Sequence, residues 1–229
     1  MLLIKVGVSR ITLLPENCLR GGRLAICGIC FSFAEKYLAN TNKNPEYPME
    51  HKIITKESAD LALFDRMFTE AFPPEERILP SALANANIDL IDIRLNGFYE
   101  DGKPVGMMVT LNFPEFVYIL FLATSAEYRG QGIGTKIMNA YNEQFPEAFT
   151  IGIIEKPDEA AANNAQRLAR KKFYDRLGFS FYDFNFTLNG LSFLTIAKGP
   201  GSDSRAKTEQ AWTSLLPLVA PFVSGSTPA

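Results

Sequence analysis

The stretch Arg129-Gly130-Gln131-Gly132-Ile133-Gly134 carries the clearest chemical signal in this chain. Glycines at alternate positions let a backbone approach an anion closely and take angles that a side chain forbids. Arg129 places a permanent cation at the mouth of the loop. An apolar run, Val117 to Ala123, precedes it, and a helix-like run with Thr135, Lys136, Ile137, Met138 and Tyr141 follows. Strand, glycine loop and helix start together present unpaired N–H groups to a phosphate. The expected occupant is therefore a diphosphate-bearing ligand. Spacing excludes two common loops. A dinucleotide fingerprint needs glycine at the sixth position, which is Thr135 here, and a Walker loop needs glycine directly before Lys-Ser/Thr, whereas Thr135 precedes Lys136 and Ile137 follows it.

Arg-x-x-Gly-x-Gly at Arg129 to Gly134 resembles the pyrophosphate loop of the GNAT superfamily of acyl-CoA-dependent N-acetyltransferases. Leu122-Ala123-Thr124-Ser125-Ala126-Glu127-Tyr128 looks like that family's fourth strand entering the loop, and Lys172-Phe173-Tyr174-Asp175-Arg176-Leu177-Gly178-Phe179 looks like its Phe-Tyr-x-x-Leu-Gly-Phe signature. The two blocks stand in the family's order, and the resemblance runs from about Glu50 to Lys198. It implies an α/β (α+β) fold: a mixed, mostly antiparallel twisted sheet, splayed between strands four and five, with helices on both faces. It also implies acetyl-CoA as co-substrate, no metal, and transfer to a primary amine of a small molecule or peptide. A non-catalytic acyl-CoA sensor of the same fold is the alternative.

Several site residues follow from the resemblance. Strands four and five are read as Phe116–Ala123 and Phe149–Ile154. Backbone groups at Leu122, Ala123 and Thr124 would meet the pantetheine arm, with Arg129 and Gly130 at the loop and the amides from Gln131 through Gly132, Ile133 and Gly134 to Thr135 on the pyrophosphate. Tyr174 is the candidate proton donor to the departing thiolate. An apolar stripe of Ala165, Ala169, Phe173 and Leu177, with Leu168 beside it, is expected to face the core, leaving Tyr174 on a basic face with Arg167, Arg170 and Lys171. Those cations would also suit the negative end of the helix. Asn164 is the candidate contact to the cofactor arm, with helix capping by Asn163 or Asn164 as the competing reading. Strand four carries no acid, so Glu155 at the end of strand five is the candidate general base. His51 is read as a surface residue, and Glu76 and Arg77 as lining the substrate side or, equally, as a solvated ion-pair loop.

These residues need elements to position them. Lys52 to Thr55 reads as a strand, followed by a helix capped by Ser58 or Asp60 that carries Leu61, Phe64, Met67, Phe68 and Phe72 near helical spacing and stops at Pro73-Pro74. Asp89 to Glu100 and Val105 to Leu111 alternate around Glu100-Asp101-Gly102-Lys103, a hairpin signal. Ala160 to Leu177 reads as a helix, and Phe179 to Phe186 with Leu191 to Ala197 as a hairpin around Asn189-Gly190. The order is mixed α/β.

At 229 residues, 47% hydrophobic, the chain is long enough for one domain with extensions. A net charge of −2 without a basic run argues against general nucleic-acid binding, and no apolar run reaches membrane-spanning length. The cysteines, Cys18, Cys27 and Cys30, all precede Phe31, so no disulfide staples the main domain, which fits a reducing, cytoplasmic setting. Cys27-x-x-Cys30 lacks the further ligands that zinc requires. Residues 1–48 only loosely imitate a secretory signal and are expected to be a poorly packed extension upstream of a start at Met49. Residues 49–198 form the expected N-acetyltransferase domain. Residues 199–229 are expected to be a linker from Gly199 and a short helix or tail bearing Trp212, either docked or loose. Monomer and homodimer are both compatible with the sequence.

Overall fold

The computed structural model describes residues 49–72, 78–84, 92–188, 190–219 and 223–224. The expected extension 1–48, the Glu76-Arg77 pair and Asn189 lie outside the described residues.

Among the described residues nine strands form one sheet: β1 (Glu50–Ile54), β2 (Asp92–Glu100), β3 (Lys103–Asn112), β4 (Val117–Thr124), β5 (Thr150–Glu155), β6 (Ser180–Tyr182), β7 (Thr187–Leu188), β8 (Leu191–Lys198) and β9 (Val223–Ser224). The order is β1-β2-β3-β4-β5-β8-β7-β9, with β6 also paired to β8. Every pairing is antiparallel except that of β4 with β5. The β2–β3 turn uses Asp101 (φ 49°) and Gly102 (φ 72°). Both central residues are left-handed, as a two-residue hairpin matched to strand twist requires. Leu188 pairs with Leu191, so the second expected hairpin is also centred where its turn signal stood. Its first arm is not one strand. Residues 183–186 leave regular structure, and Phe184 and Phe186 bury their rings from that irregular segment.

Among the described residues five α-helices cover the sheet: α1 (Leu61–Ala71), α2 (Pro80–Ala84), α3 (Ile133–Gln144), α4 (Asn164–Arg176) and α5 (Arg205–Val219). One core holds Phe64, Met67 and Phe68 of α1 and Ala211, Trp212 and Leu215 of α5 against Tyr99, Val109, Ile151, Phe193 and Ala197. The opposite core holds Ile133, Ile137, Met138 and Tyr141 of α3 and Tyr174 of α4 against Val105, Met108, Ile119, Ile154 and Ile196. The strands alternate between the two, since β8 sends Phe193 and Ala197 to one and Leu194 and Ile196 to the other.

Neither expected cap of α1 works through its side chain. Asp60 is the N-cap residue, but its Oδ2 accepts a hydrogen bond from Tyr99 Oη at 3.0 Å, while Ser58 Oγ accepts from the Thr55 amide at 2.9 Å. The tyrosine wins that carboxylate because its buried hydroxyl would otherwise lack a partner.

His51 is not a surface residue. Its ring is half-buried, lies 5.1 Å from and stacked on Phe98, and bonds Asn96 Oδ1 at 3.0 Å through Nε2. Asn96 is itself buried, donating to the Met108 carbonyl and to Thr110 Oγ1. Burial is the largest influence on the imidazole and lowers its pKa, against hydrogen bonds to Asn96 and Gln144 that favour the charged form. A depressed folded-state value means the unfolded chain takes the proton first as pH falls. Stability from His51 is therefore present above the ordinary histidine range and lost as pH falls through the lower folded value. We expect denaturation midpoints measured from neutral pH to about pH 5 to fall less steeply in His51→Gln than in the wild-type chain. Parallel slopes would sink this reading.

Candidate active site

The pairing of β4 with β5 stops early. Val117, Tyr118 and Ile119 pair with Thr150, Ile151 and Gly152, but β5 then follows β8 to its end and β4 follows β3. A bulge at Leu120 lies at that divergence, since Thr110 faces Ile119 while Val109 faces Phe121. A bulge adds bend and twist to a strand, so the two strands separate like a wedge. Among the described residues the β5-side edge of β4 from Leu120 to Thr124 has no strand partner.

The glycine loop stands directly beyond that edge. Gly130 (φ 77°) and Gly132 (φ 79°) are both left-handed, and Gly132 is the residue that caps α3. A side chain at either would be conformationally strained, although nothing stands within 4 Å of where a Cβ would be. Of the five amides expected to hold pyrophosphate, two are already engaged. The Gln131 amide donates to the Tyr128 carbonyl at 3.4 Å and that of Thr135 to the Gly132 carbonyl at 3.0 Å, as the first turn of a helix closes. The amides of Gly130, Gly132, Ile133 and Gly134 make no bond among the described residues. Arg129 is exposed and donates through Nη2 to the Glu70 carbonyl at 3.4 Å, tying the loop to the end of α1.

Between loop, wedge and α4 lies a cavity of about 240 Å³, lined by Leu122, Thr124, Gly134, Arg170, Phe173 and Tyr174. Three stretches distant in sequence thus converge. Gly134 stands against α4, since a Cβ there would come within 3.3 Å of the Phe173 ring. Ala123 is buried and does not line the cavity. Asn164 does not line it either: its Oδ1 accepts from the Asp158 amide at 2.9 Å, fastening the loop before α4. Asn163, the N-cap residue, makes no capping bond and directs Oδ1 to Arg167 Nε at 2.8 Å.

The orientation of α4 corrects the expected stripe. Ala165, Leu168 and Ala169 are exposed, Leu168 at 51%, whereas Arg167 and Tyr174 are buried. A buried arginine is tolerable only when paired, and Arg167 is paired throughout. Its Nη2 meets Glu155 Oε1 at 3.1 Å, its Nη1 donates to the Lys156 carbonyl at 3.1 Å, and its Nε reaches Asn163. Spacing did place Arg167, Arg170 and Tyr174 on one face. That this face turns inward depends on an acid across the gap, and Glu155 supplies it.

Tyr174 packs against Phe173 and Phe179 at 4.9 and 5.1 Å. Burial pushes its phenol up to about 12, with the Arg170 charge opposing. Among the described residues no hydrogen bond engages its hydroxyl. Glu155 stands 8% exposed between two arginines, with Arg170 Nη1 at 2.9 Å from its Oε2. Burial is the largest single influence and favours its neutral form. The Arg170 hydrogen bond, the charges of Arg170 and Arg167, and Asn163 together outweigh it and lower the carboxyl below its ordinary value. Arg170 was not among the expected site residues. Its place one turn before Tyr174 was the available signal.

Among the described residues no group of three or more His, Cys, Asp or Glu is placed to hold a metal ion, and no helix is long and apolar enough to cross a membrane. No curated protein matches the chain in sequence. A Bacteroides thetaiotaomicron protein described as a GNAT-family acetyltransferase shares the fold at TM-score 0.61 and 21% identity, over 73% of this chain and 96% of that one. A GNAT-family acetyltransferase from Elizabethkingia anophelis, solved with acetyl-CoA bound, aligns at TM-score 0.45 and 12% identity, over 66% of this chain and 98% of the other. Residues 96–181, which hold the wedge, the glycine loop and the Tyr174 helix, match the family model of the acetyltransferase (GNAT) domain. The chain is thus similar to the acetyltransferase (GNAT) domain over residues 96–181 and shares the fold of a GNAT-family acetyltransferase over 73% of its length.

Proposed function

We propose that this chain transfers an acetyl group from acetyl-CoA to a primary amine of a small molecule or peptide, by direct attack in a ternary complex in the cytosol. The convergence of Leu122, Thr124, Gly134, Phe173 and Tyr174 on one cavity, beside the free amides of the glycine loop, carries this reading. The amides of Gly132, Ile133 and Gly134 hold the diphosphate, and the unpaired β4 edge at Leu122 and Thr124 receives the pantetheine amides. Acetyl-CoA supplies an activated thioester. The amine nitrogen forms the C–N bond as the C–S bond breaks, and the bonding pair leaves on sulfur. Tyr174 Oη donates a hydrogen bond to that sulfur, which then takes a proton from water to end as a thiol. Water takes the proton released by nitrogen, because a carboxylate held low by two arginines is a weak acceptor. From Phe31 onward the sequence contains no cysteine, which favours direct transfer over an acyl-cysteine route.

Calorimetric titration of acetyl-CoA into the full chain tests the first half, with roughly micromolar affinity expected. A panel of amines with detection of released CoA thiol tests the second. Absence of binding would remove the proposal, and binding without turnover on any amine would leave a sensor in its place. Tyr174→Phe is expected to lower kcat about a hundredfold with acetyl-CoA affinity within about twofold. Undiminished turnover would free Tyr174 from its role.

A further inference from the structure

We propose that Arg170 is a catalytic residue that holds the negative charge arriving on sulfur, and that Glu155 is the positioning residue that fixes it there. The inference rests on the acetyl-transfer reading above. Among the described residues Arg170 is the one charged side chain lining the cavity. It lies one helical turn before Tyr174, and the two share a wall. Its side chain is 41% exposed, but the direction of its guanidinium is set by Glu155 Oε2 at 2.9 Å. Glu155 is itself immobilised from behind by Arg167, whose three contacts leave it no freedom to release the acid. One carboxylate balances one guanidinium. The second guanidinium, at the cavity wall, is the surplus charge.

Chemistry explains why the site needs it. A thiol ordinarily ionises near pH 8.5, whereas burial pushes Tyr174 up to about 12. A full proton transfer from this phenol to a thiolate therefore runs uphill by a few pH units. Tyr174 can give sulfur a hydrogen bond, and a fixed cation must hold the charge until solvent delivers the proton. Electron count and protons balance: the C–S pair stays on sulfur, the amine proton leaves to water, and water later protonates the thiolate. The other groups nearby do not compete. Tyr118 is buried and its hydroxyl raised in pKa by burial, Lys171 turns to the Phe181 ring, and Lys136 pairs with Glu100.

The test uses CoA and desulfo-CoA as probes, in calorimetric titrations of the full chain from about pH 7 to about pH 9, spanning the ordinary thiol range. A cation facing sulfur makes CoA bind better than desulfo-CoA as pH rises, by roughly tenfold for each unit by which it lowers the bound thiol's pKa. Arg170→Gln is expected to flatten that rise and to lower kcat about thirtyfold, roughly 2 kcal/mol of barrier. Arg170→Lys is expected to restore part of both. Glu155→Gln is expected to weaken the rise without abolishing it, lowering kcat more than it raises KM. A wild-type pH profile in Arg170→Gln would overturn the proposal. An undisturbed profile in Glu155→Gln would overturn its positioning half. Failure of the wild-type chain to bind either probe would instead remove the acetyl-CoA reading beneath it.

Discussion

Gly132→Glu is expected to abolish measurable acetyl-CoA binding while leaving the fold intact. The fold survives because the position is open, with no atom within 4 Å of the new Cβ. Binding suffers on two counts. A non-glycine residue at φ 79° is strained by about 1–2 kcal/mol, and relieving that strain rotates the Gly132, Ile133 and Gly134 amides off the anion. A carboxylate also enters where the proposed function seats the diphosphate. Hydrogen bonds to a charged group contribute about 1.5–3 kcal/mol each, so loss of two amides weakens affinity by two or more orders of magnitude. Gly132→Ala separates the causes, since it keeps the strain without the charge, and a loss of about tenfold is expected. Titration calorimetry reads affinity and a thermal melt reads the fold. Wild-type affinity in the glutamate variant would mean the loop is only a turn.

The loop was legible in the sequence because its constraint is local. Left-handed angles at Gly130 and Gly132 and a helix start at Ile133 follow from residue types over a few positions. The Asp101-Gly102 hairpin was legible for the same reason. The face of α4 was not. Periodicity ranked Ala165, Ala169 and Leu168 as core, yet the sheet takes Arg167 and Tyr174, because Glu155, a dozen residues upstream across a turn, neutralises the arginine. Pattern counts cannot see a partner on another element. The same failure hid His51, whose burial depends on Asn96 and Phe98 from the neighbouring strand. It also hid the split arm before Leu188, where Phe184 and Phe186 satisfy the core from irregular backbone.

Trp212→Ala is expected to destabilise the domain by about 3–5 kcal/mol, the usual cost of emptying a fully buried aromatic site. The helix that carries this residue follows the stretch read from sequence as a linker, but its packing is that of a core element. Trp212 is fully buried, stacks on Phe186 at 4.3 Å between centroids, and joins Ala211 and Leu215 against the sheet face that holds Phe193. Domains of this kind are stable by only about 5–15 kcal/mol, so the loss is a large fraction of the whole. Trp212→Phe discriminates packing from polarity. It removes an indole N–H that finds no acceptor among the described residues, and an unpaired buried donor costs about 1–3 kcal/mol. Phenylalanine should therefore lie much nearer to wild type than alanine. Urea midpoints followed by circular dichroism measure all three chains, since fluorescence would lose its only tryptophan. Equal midpoints would mean that α5 merely rests on the sheet. The expected order, wild type near phenylalanine and both well above alanine, would make residues 205–215 part of the fold that holds β8, and through β8 the strand that positions Glu155.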